Sequence, residues 1–203
     1  MKTFATVAAF CLARLVAGAA IEAAPENDPL TNWGPMEFVG PAFVGGANVT
    51  LKGDAKSIYE QLLVLNPEYN PQEFPEYRAK TAELEKRELS KRNIICDVAG
   101  TAVPYANANC AEGDRYLRRL NGYCRAPAGP RACARVSCSN QCGMFLCNDN
   151  SYPIDVWCGN IAGDYKDISS RCWESGNDWG WYDTLKGQVF RSIWNTIVVH
   201  QYC

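Results

Sequence analysis

Apolar positions along the chain fall into two periodicities, and their spacing predicts the elements. Ile58, Leu62 and Leu65 recur at helical spacing, with Tyr59 and Leu63 beside them. Asp54 stands ready to cap that helix, and Asn66-Pro67 to end it. A second stretch, roughly Glu76 to Lys91, also has helical composition but is charged nearly all round, so it has little to bury. Further on, Ala111 to Leu120 reads as a short helix with Tyr116, Leu117 and Leu120 facing in. Pro127 to Pro130 reads as a turn. Arg131 to Ser139 alternates through Cys133, Val136 and Cys138 like a strand, Asn140 to Gly143 turns, and Met144 to Cys147 returns, which predicts a hairpin. Ile161, Tyr165, Ile168 and Cys172 share one face of another helix. Trp194 to Tyr202 is β-branched and apolar, a buried last strand ending at Cys203. Strands and helices that do not alternate regularly argue for an α+β fold: a small disulfide-rich α/β sandwich with an antiparallel sheet and about two helices, preceded by a helical pro-segment.

The start of the chain changes the picture. Met1-Lys2, an apolar alanine-rich run from Phe4 to Ala20, and the small-x-small Ala17-Gly18-Ala19 predict a signal peptide over residues 1–20, although Arg14 interrupts the run. A membrane-spanning helix needs about 20 apolar residues, and no stretch reaches that length, so no transmembrane segment is expected. The expected location is secreted and extracellular.

Cysteine usage then divides the remainder. Residues 21–92 contain none, while Cys96, Cys110, Cys124, Cys133, Cys138, Cys142, Cys147, Cys158, Cys172 and Cys203 all lie in residues 93–203. The even number fits five bridges formed in an oxidising compartment, with Cys11 lost in the leader. Their order leaves the pairing open. Cys138-x3-Cys142-x4-Cys147 has roughly zinc-like spacing, but no second Cys or His pair completes a site, and the expectation is no metal and no cofactor. Two dibasic pairs, Lys86-Arg87 and Lys91-Arg92, sit at the composition boundary. They predict a pro-segment over 21–92 and a mature cysteine-rich domain over 93–203, separated by a kexin-type protease. Asn48-Val49-Thr50 is an N-glycosylation acceptor at Asn48.

Charge supplies one candidate surface. Residues 21–92 carry eight basic and twelve acidic groups, and residues 93–203 carry ten of each, which gives no reason to expect nucleic acid as a partner. Yet residues 115–135 hold Arg115, Arg118, Arg119, Arg125, Arg131 and Arg135 without an acid, and residues 149–183 hold seven acids against Lys166 and Arg171. The two segments either face each other or are solvated; the alternative is an arginine surface for an anionic partner, centred on Arg118 and Arg119. Trp173, Trp179, Trp181 and Tyr182 lie in a loop rich in Gly, Asn and Asp, where Trp179 and Trp181 are candidates for partner contact and core packing is the competing role.

Catalytic chemistry is poorly supplied. The single histidine, His200, sits in the last strand beside Val199, where packing is the commoner role. Glu112, Arg118 and His200 are the residue types a secreted ribonuclease uses, but their spacing does not bring them together. Asp155, Asp164, Asp167 and Asp178 include material for a glycosidase carboxylate pair, against the commoner role of solvated acids. No Gly-x-Ser-x-Gly element occurs. The expectation is no catalytic residue and no enzyme.

The order Tyr116-Leu117-Arg118, Gly129-Pro130, Arg135-Val136-Ser137-Cys138-Ser139, Leu146-Cys147-Asn148-Asp149-Asn150, Ile161-Ala162, Asp167-Ile168, Gly187-Gln188-x-Phe190 and Trp194-Asn195-x-Ile197-Val198-Val199 resembles small secreted cysteine-rich proteins of filamentous fungi. In the front half, Asn48-Val49-Thr50-Leu51, Ile58-Tyr59-x-Gln61-Leu62-Leu63 and Leu65-Asn66-Pro67 are similar to the leaders of that group. At the level of layout the chain also resembles killer-toxin-like and necrosis-inducing fungal effectors. The resemblance implies a secreted virulence-type effector acting on a host or competitor protein or surface. Its alternatives are a killer-type antimicrobial toxin and, further off, a ribonuclease-like or glycan-binding protein.

Overall fold

The computed structural model describes residue 30 and residues 32–86, 93–176 and 182–203. The expected signal peptide over residues 1–20, Arg87, Lys91, Arg92, Trp179 and Trp181 lie outside them. The front half supplies strands β1 (Trp33–Pro41) and β2 (Asn48–Gly53), helix α1 (Ala55–Leu65), a 3-10 turn at Pro71–Glu73, and helix α2 (Pro75–Lys86). Asp54 caps α1 by accepting from the Ser57 N–H at 2.9 Å, and Asn66 takes an extended conformation that ends it. The residue types at both ends therefore do what their side-chain chemistry dictates. In β1, Met36, Phe38 and Gly40 are buried while Glu37, Val39 and Pro41 are partly exposed, the period-2 pattern of a strand.

Residues 93–203 supply β3 (Asn93–Ile95), β4 (Val103–Pro104), α3 (Ala106–Leu117), β5 (Tyr123–Ala126), β6 (Ala132–Ser139), β7 (Cys142–Asn148), β8 (Ile154–Trp157), α4 (Cys158–Cys172), β9 (Trp173–Glu174), β10 (Thr184–Leu185), β11 (Gly187–Phe190) and β12 (Asn195–His200). The expected hairpin is β6–β7. Its two turn residues, Asn140 and Gln141, both have positive φ (48° and 69°), the geometry that matches the right-handed twist of the strands. The expected helix with Ile161, Tyr165, Ile168 and Cys172 on its buried face is α4.

One sheet runs β3-β11-β12-β7-β6-β1-β5-β8, with β2 added on β1; a smaller one runs β4-β10-β9. The large sheet is mixed, which corrects the expectation of an antiparallel one. The first residues of β1 pair in parallel with β6, Trp33 opposite Cys133, whereas Phe38 pairs antiparallel with Cys124 of β5. Residues 93–203 contain two α-helices, α3 and α4, the number expected for that part, and the front half contributes strands β1 and β2 as well as helices α1 and α2. Gly34-Pro35 and Gly40-Pro41 break up the apolar signal of β1 in the sequence, and this hid the strand. Helix α1 packs on α3, α3 on β6 and β7, and α4 on β11 and β12. Met36, Phe38, Ile58 and Leu62 share one core with Leu117, Leu120, Val136, Leu146 and Ile168. Fully burying each such side chain is worth roughly 1.5–3 kcal/mol. On the opposite face Phe145, Ile197 and Val199 form a second cluster with Val98, Cys133 and Cys147.

All ten cysteines of residues 93–203 are bridged, as Cys96–Cys172, Cys110–Cys142, Cys124–Cys158, Cys133–Cys147 and Cys138–Cys203. The three cysteines with zinc-like spacing thus go to three different partners. A buried charge cluster adds a second tie. Asp164, 1% exposed, accepts from Arg191 Nε at 2.7 Å and from Arg191 Nη2. Trp194 Nε1 donates to it at 2.8 Å and Thr196 Oγ1 at 2.7 Å. Arg191 Nη2 also donates to Asp167 at 2.7 Å. Burial pushes the Asp164 carboxyl above the ordinary carboxylate range, with Arg191 and the neutral donors opposing. The cluster fixes α4 to β12 and to the turn before it.

The Cys96–Cys172 bridge spans 76 residues and Cys133–Cys147 spans 14. Replacing the first pair with alanines should therefore cost more, about 4 kcal/mol against about 3 kcal/mol, read from urea midpoints. Thiol titration of denatured, unreduced residues 93–203 should read near zero. Separately, Asp164→Asn leaves Arg191 buried with a weakened counter-charge and should cost about 3–5 kcal/mol in urea unfolding at neutral pH.

Candidate functional site

An open cleft of about 690 Å³ lies between the two halves of the chain. Tyr59, Tyr69, Asn70, Pro71, Gln72 and Tyr77 line it from the front half; Asp114, Arg115, Arg118 and Arg119 line it from α3 and the turn after it. Local structure explains both walls. Helix α1 buries Ala55, Ile58 and Leu62, and this leaves Tyr59 at the edge of its buried stripe. Helix α3 buries Ala106, Cys110, Gly113 and Leu117, so Arg115 and Arg118 project from the other side. Gly113 is required there: a Cβ would come within 2.4 Å of the Ser137 hydroxyl.

The cleft floor is fixed by hydrogen bonds. The Asn121 N–H donates to the Tyr69 hydroxyl at 2.8 Å, and the Tyr77 hydroxyl donates to the Arg118 carbonyl. Burial pushes both phenols above their ordinary range, so both stay protonated at physiological pH. The rim is cationic. The Arg119 guanidinium lies 5.5 Å from the centroid of the Tyr59 ring, and that of Arg115 lies 5.2 Å from that of Tyr116. Neither has an acidic partner among the described residues. Arg118 is differently occupied: its Nε donates to Asp114 at 3.0 Å and its Nη2 to the Ala162 carbonyl at 3.3 Å. Of the two arginines chosen from sequence, Arg119 is thus available at the rim and Arg118 is engaged in structure. Arg115 completes the pair of available cations.

The other arginines of this segment are spread out. Arg125 pairs with Glu37 at 2.7 Å and with Asp155 at 2.7 Å, and the Arg131 N–H donates to Asp149 at 3.2 Å, so here the basic and acidic segments do face each other. The Arg135 guanidinium lies 4.7 Å from the centroid of the Trp33 ring.

Exposed aromatics make a second patch. Trp173, Tyr182 and Tyr105 are 43%, 41% and 53% exposed, and the two tyrosine rings lie 4.8 Å apart. Asp183 accepts from Trp173 Nε1 at 2.9 Å and from the Asn107 N–H at 3.0 Å. Desolvation is the largest single effect and opposes this, but the donors together hold its carboxyl below the usual range. Trp179 and Trp181 belong to the same loop but lie outside the described residues.

The candidate catalytic types do not converge. Glu112 pairs with Lys56 at 3.1 Å, Arg118 with Asp114, and the His200 ring stands edge-on to Tyr202 at 5.0 Å. Asp164 and Asp167 are neighbours, but Arg191 binds both; Asp155 is held by Arg125; Asp178 lies outside the described residues. Asn48 and Thr50 are exposed at β2, open to a glycan, and Lys86 is exposed at the end of α2. No helix among the described residues is long and apolar enough to cross a membrane, and five bridges suit an oxidising compartment. Compared with known protein families, curated proteins and solved structures, the chain matches none, so its functional reading rests on its own geometry.

Proposed function

We propose that the chain is a secreted fungal effector-type protein that acts outside the producing cell by binding a host or competitor partner through the Tyr–Arg cleft. The observation that carries this reading is the pair Arg115 and Arg119, both exposed, both set on tyrosine rings and neither met by an acid among the described residues. A guanidinium braced on a ring keeps its in-plane N–H donors free for a carboxylate, phosphate or sulfate. The buried Tyr69 and Tyr77 give the cleft a rigid floor. A second reading, glycan binding, is favoured by the exposed Tyr105, Trp173 and Tyr182, since ring faces stack on sugars.

Infiltration of the secreted protein into plant tissue, alongside growth assays on fungi and bacteria, tests the role. Cell death or immune suppression is expected for an effector; growth inhibition alone would replace it with the killer-toxin reading. For the cleft, Arg115→Ala with Arg119→Ala should reduce activity about tenfold, which corresponds to about 1.4 kcal/mol of binding. The melting temperature should be little changed, and the effect should shrink as salt rises, because exposed charges are screened within about 10 Å at 0.1 M. Arg118→Ala should instead lower the melting temperature, because Asp114 and the Ala162 carbonyl lose their donor. Retained activity in the double variant, with binding to immobilised polysaccharide lost on Trp173→Ala, would move the site to the aromatic patch.

A further inference from the structure

We propose that residues 32–86 are not discarded after the dibasic cut but stay seated on the disulfide-linked part, making the processed protein a non-covalent complex of two chains. Strand β1 carries the argument. It lies inside the sheet, between β6 and β5, and is the strand through which they join. Its departure would leave two rows of backbone donors and acceptors unpaired in the middle of the molecule. Its side chains go to the common core: Met36 and Phe38 are fully buried, as are Ile58 and Leu62 behind them.

The fit is close enough to be specific. A Cβ on Gly122 would come within 2.5 Å of the Phe38 ring and 2.6 Å of the Val39 carbonyl, and one on Gly40 within 2.5 Å of the Asn121 carbonyl. Polar latches cross the same boundary. Glu37 pairs with Arg125 at 2.7 Å, Lys56 with Glu112 at 3.1 Å, and the Cys133 N–H donates to the Asn32 carbonyl at 3.0 Å. Lys80 lies 5.4 Å from the centroid of the Tyr123 ring and 5.3 Å from that of Trp157. All five disulfides lie within residues 93–203, so no covalent bond would hold the cut piece. The shared core and the sheet would. One wall of the cleft would then belong to each chain; that consequence for binding rests on the functional reading above, whereas retention does not.

The test uses the full secreted chain with residues 87–92 replaced by the site of an added protease. The folded protein is cut, then examined by native mass spectrometry and by denaturing chromatography. Retention predicts one native mass equal to both pieces and two peaks only after denaturation. Release of the front piece under native conditions, with the near-ultraviolet circular dichroism of the remainder unchanged, overturns it. Phe38→Ala, checked for folding before the cut, should speed release at least tenfold in dilute urea. Should that variant not fold, Lys56→Ala with Tyr77→Phe applies the same test through the latches, and a release rate equal to wild type in both variants would sink the idea. Arg115→Ala, which removes a guanidinium resting on Tyr116 of its own piece, should leave retention untouched, so the cleft reading and the two-chain reading fail separately.

Discussion

The structure depends on the backbone pairing of β1. Every strand beyond it, on either side, reaches the rest of the large sheet through that element: β6, β7, β12, β11 and β3 on one flank, β5 and β8 on the other. Along its length β1 changes partner, pairing in parallel with β6 over its first residues and then antiparallel with β2 and β5. In β1 the parallel contacts stop at Pro35, and the antiparallel ones begin with Gly53 opposite Met36. Proline has no N–H, so Pro35 sits where the ladder changes partner and a donor can be spared. The buried faces of Met36 and Phe38 then commit the register, because a slip by one residue would turn them to solvent and bring Glu37 inward.

Covalent and non-covalent organisation divide differently along the chain. Composition marks a boundary near residue 92: ten cysteines follow it, and residues 21–92 contain none. The core ignores that boundary, with Phe74 and Tyr77 in the same cluster as Trp157 and Ile161. The bridges restrict the unfolded back half, while the front half is held only by burial, hydrogen bonds and ion pairs. Five bridges raise the stability of the part that carries them, and the strand that completes its sheet comes from the part without any.

Much of the local structure was legible from the sequence, and the reasons are specific. Helix α1 could be read because Asp54, the Ile58–Leu62 spacing and Asn66-Pro67 give start, face and stop. The β6–β7 hairpin could be read because alternation flanks a polar turn, and α4 because four apolar residues keep helical period. Strands β1, β5, β8 and β11 could not. Each is short or interrupted by Gly or Pro, and each is paired with a neighbour distant in sequence: Phe38 with Cys124, Val156 with Cys124, and Val189 with Ile94. Pairing of this kind is tertiary, and propensity carries little of it. The cleft was hidden for the same reason. Arg119 was visible as part of an acid-free run, but nothing in the chain linked it to Tyr59, Tyr69 or Tyr77, which meet it only because α1 packs on α3.

Charge decides which parts of this surface are free to act. The arginines of residues 115–135 looked equivalent in the sequence, and folding sorts them by distance to a partner. Arg125 is held by two carboxylates and Arg118 by one carboxylate and a carbonyl. Arg135 lies against Trp33, Arg115 against Tyr116 and Arg119 against Tyr59. A ring satisfies the face of a guanidinium and leaves its edge, where the N–H donors point, unspent. A carboxylate does the reverse and uses up the edge. The arginines on rings are therefore the ones equipped to meet an external anion. Arg115 and Arg119 stand out among them because they share one cleft whose aromatic wall is supplied by the front half of the chain.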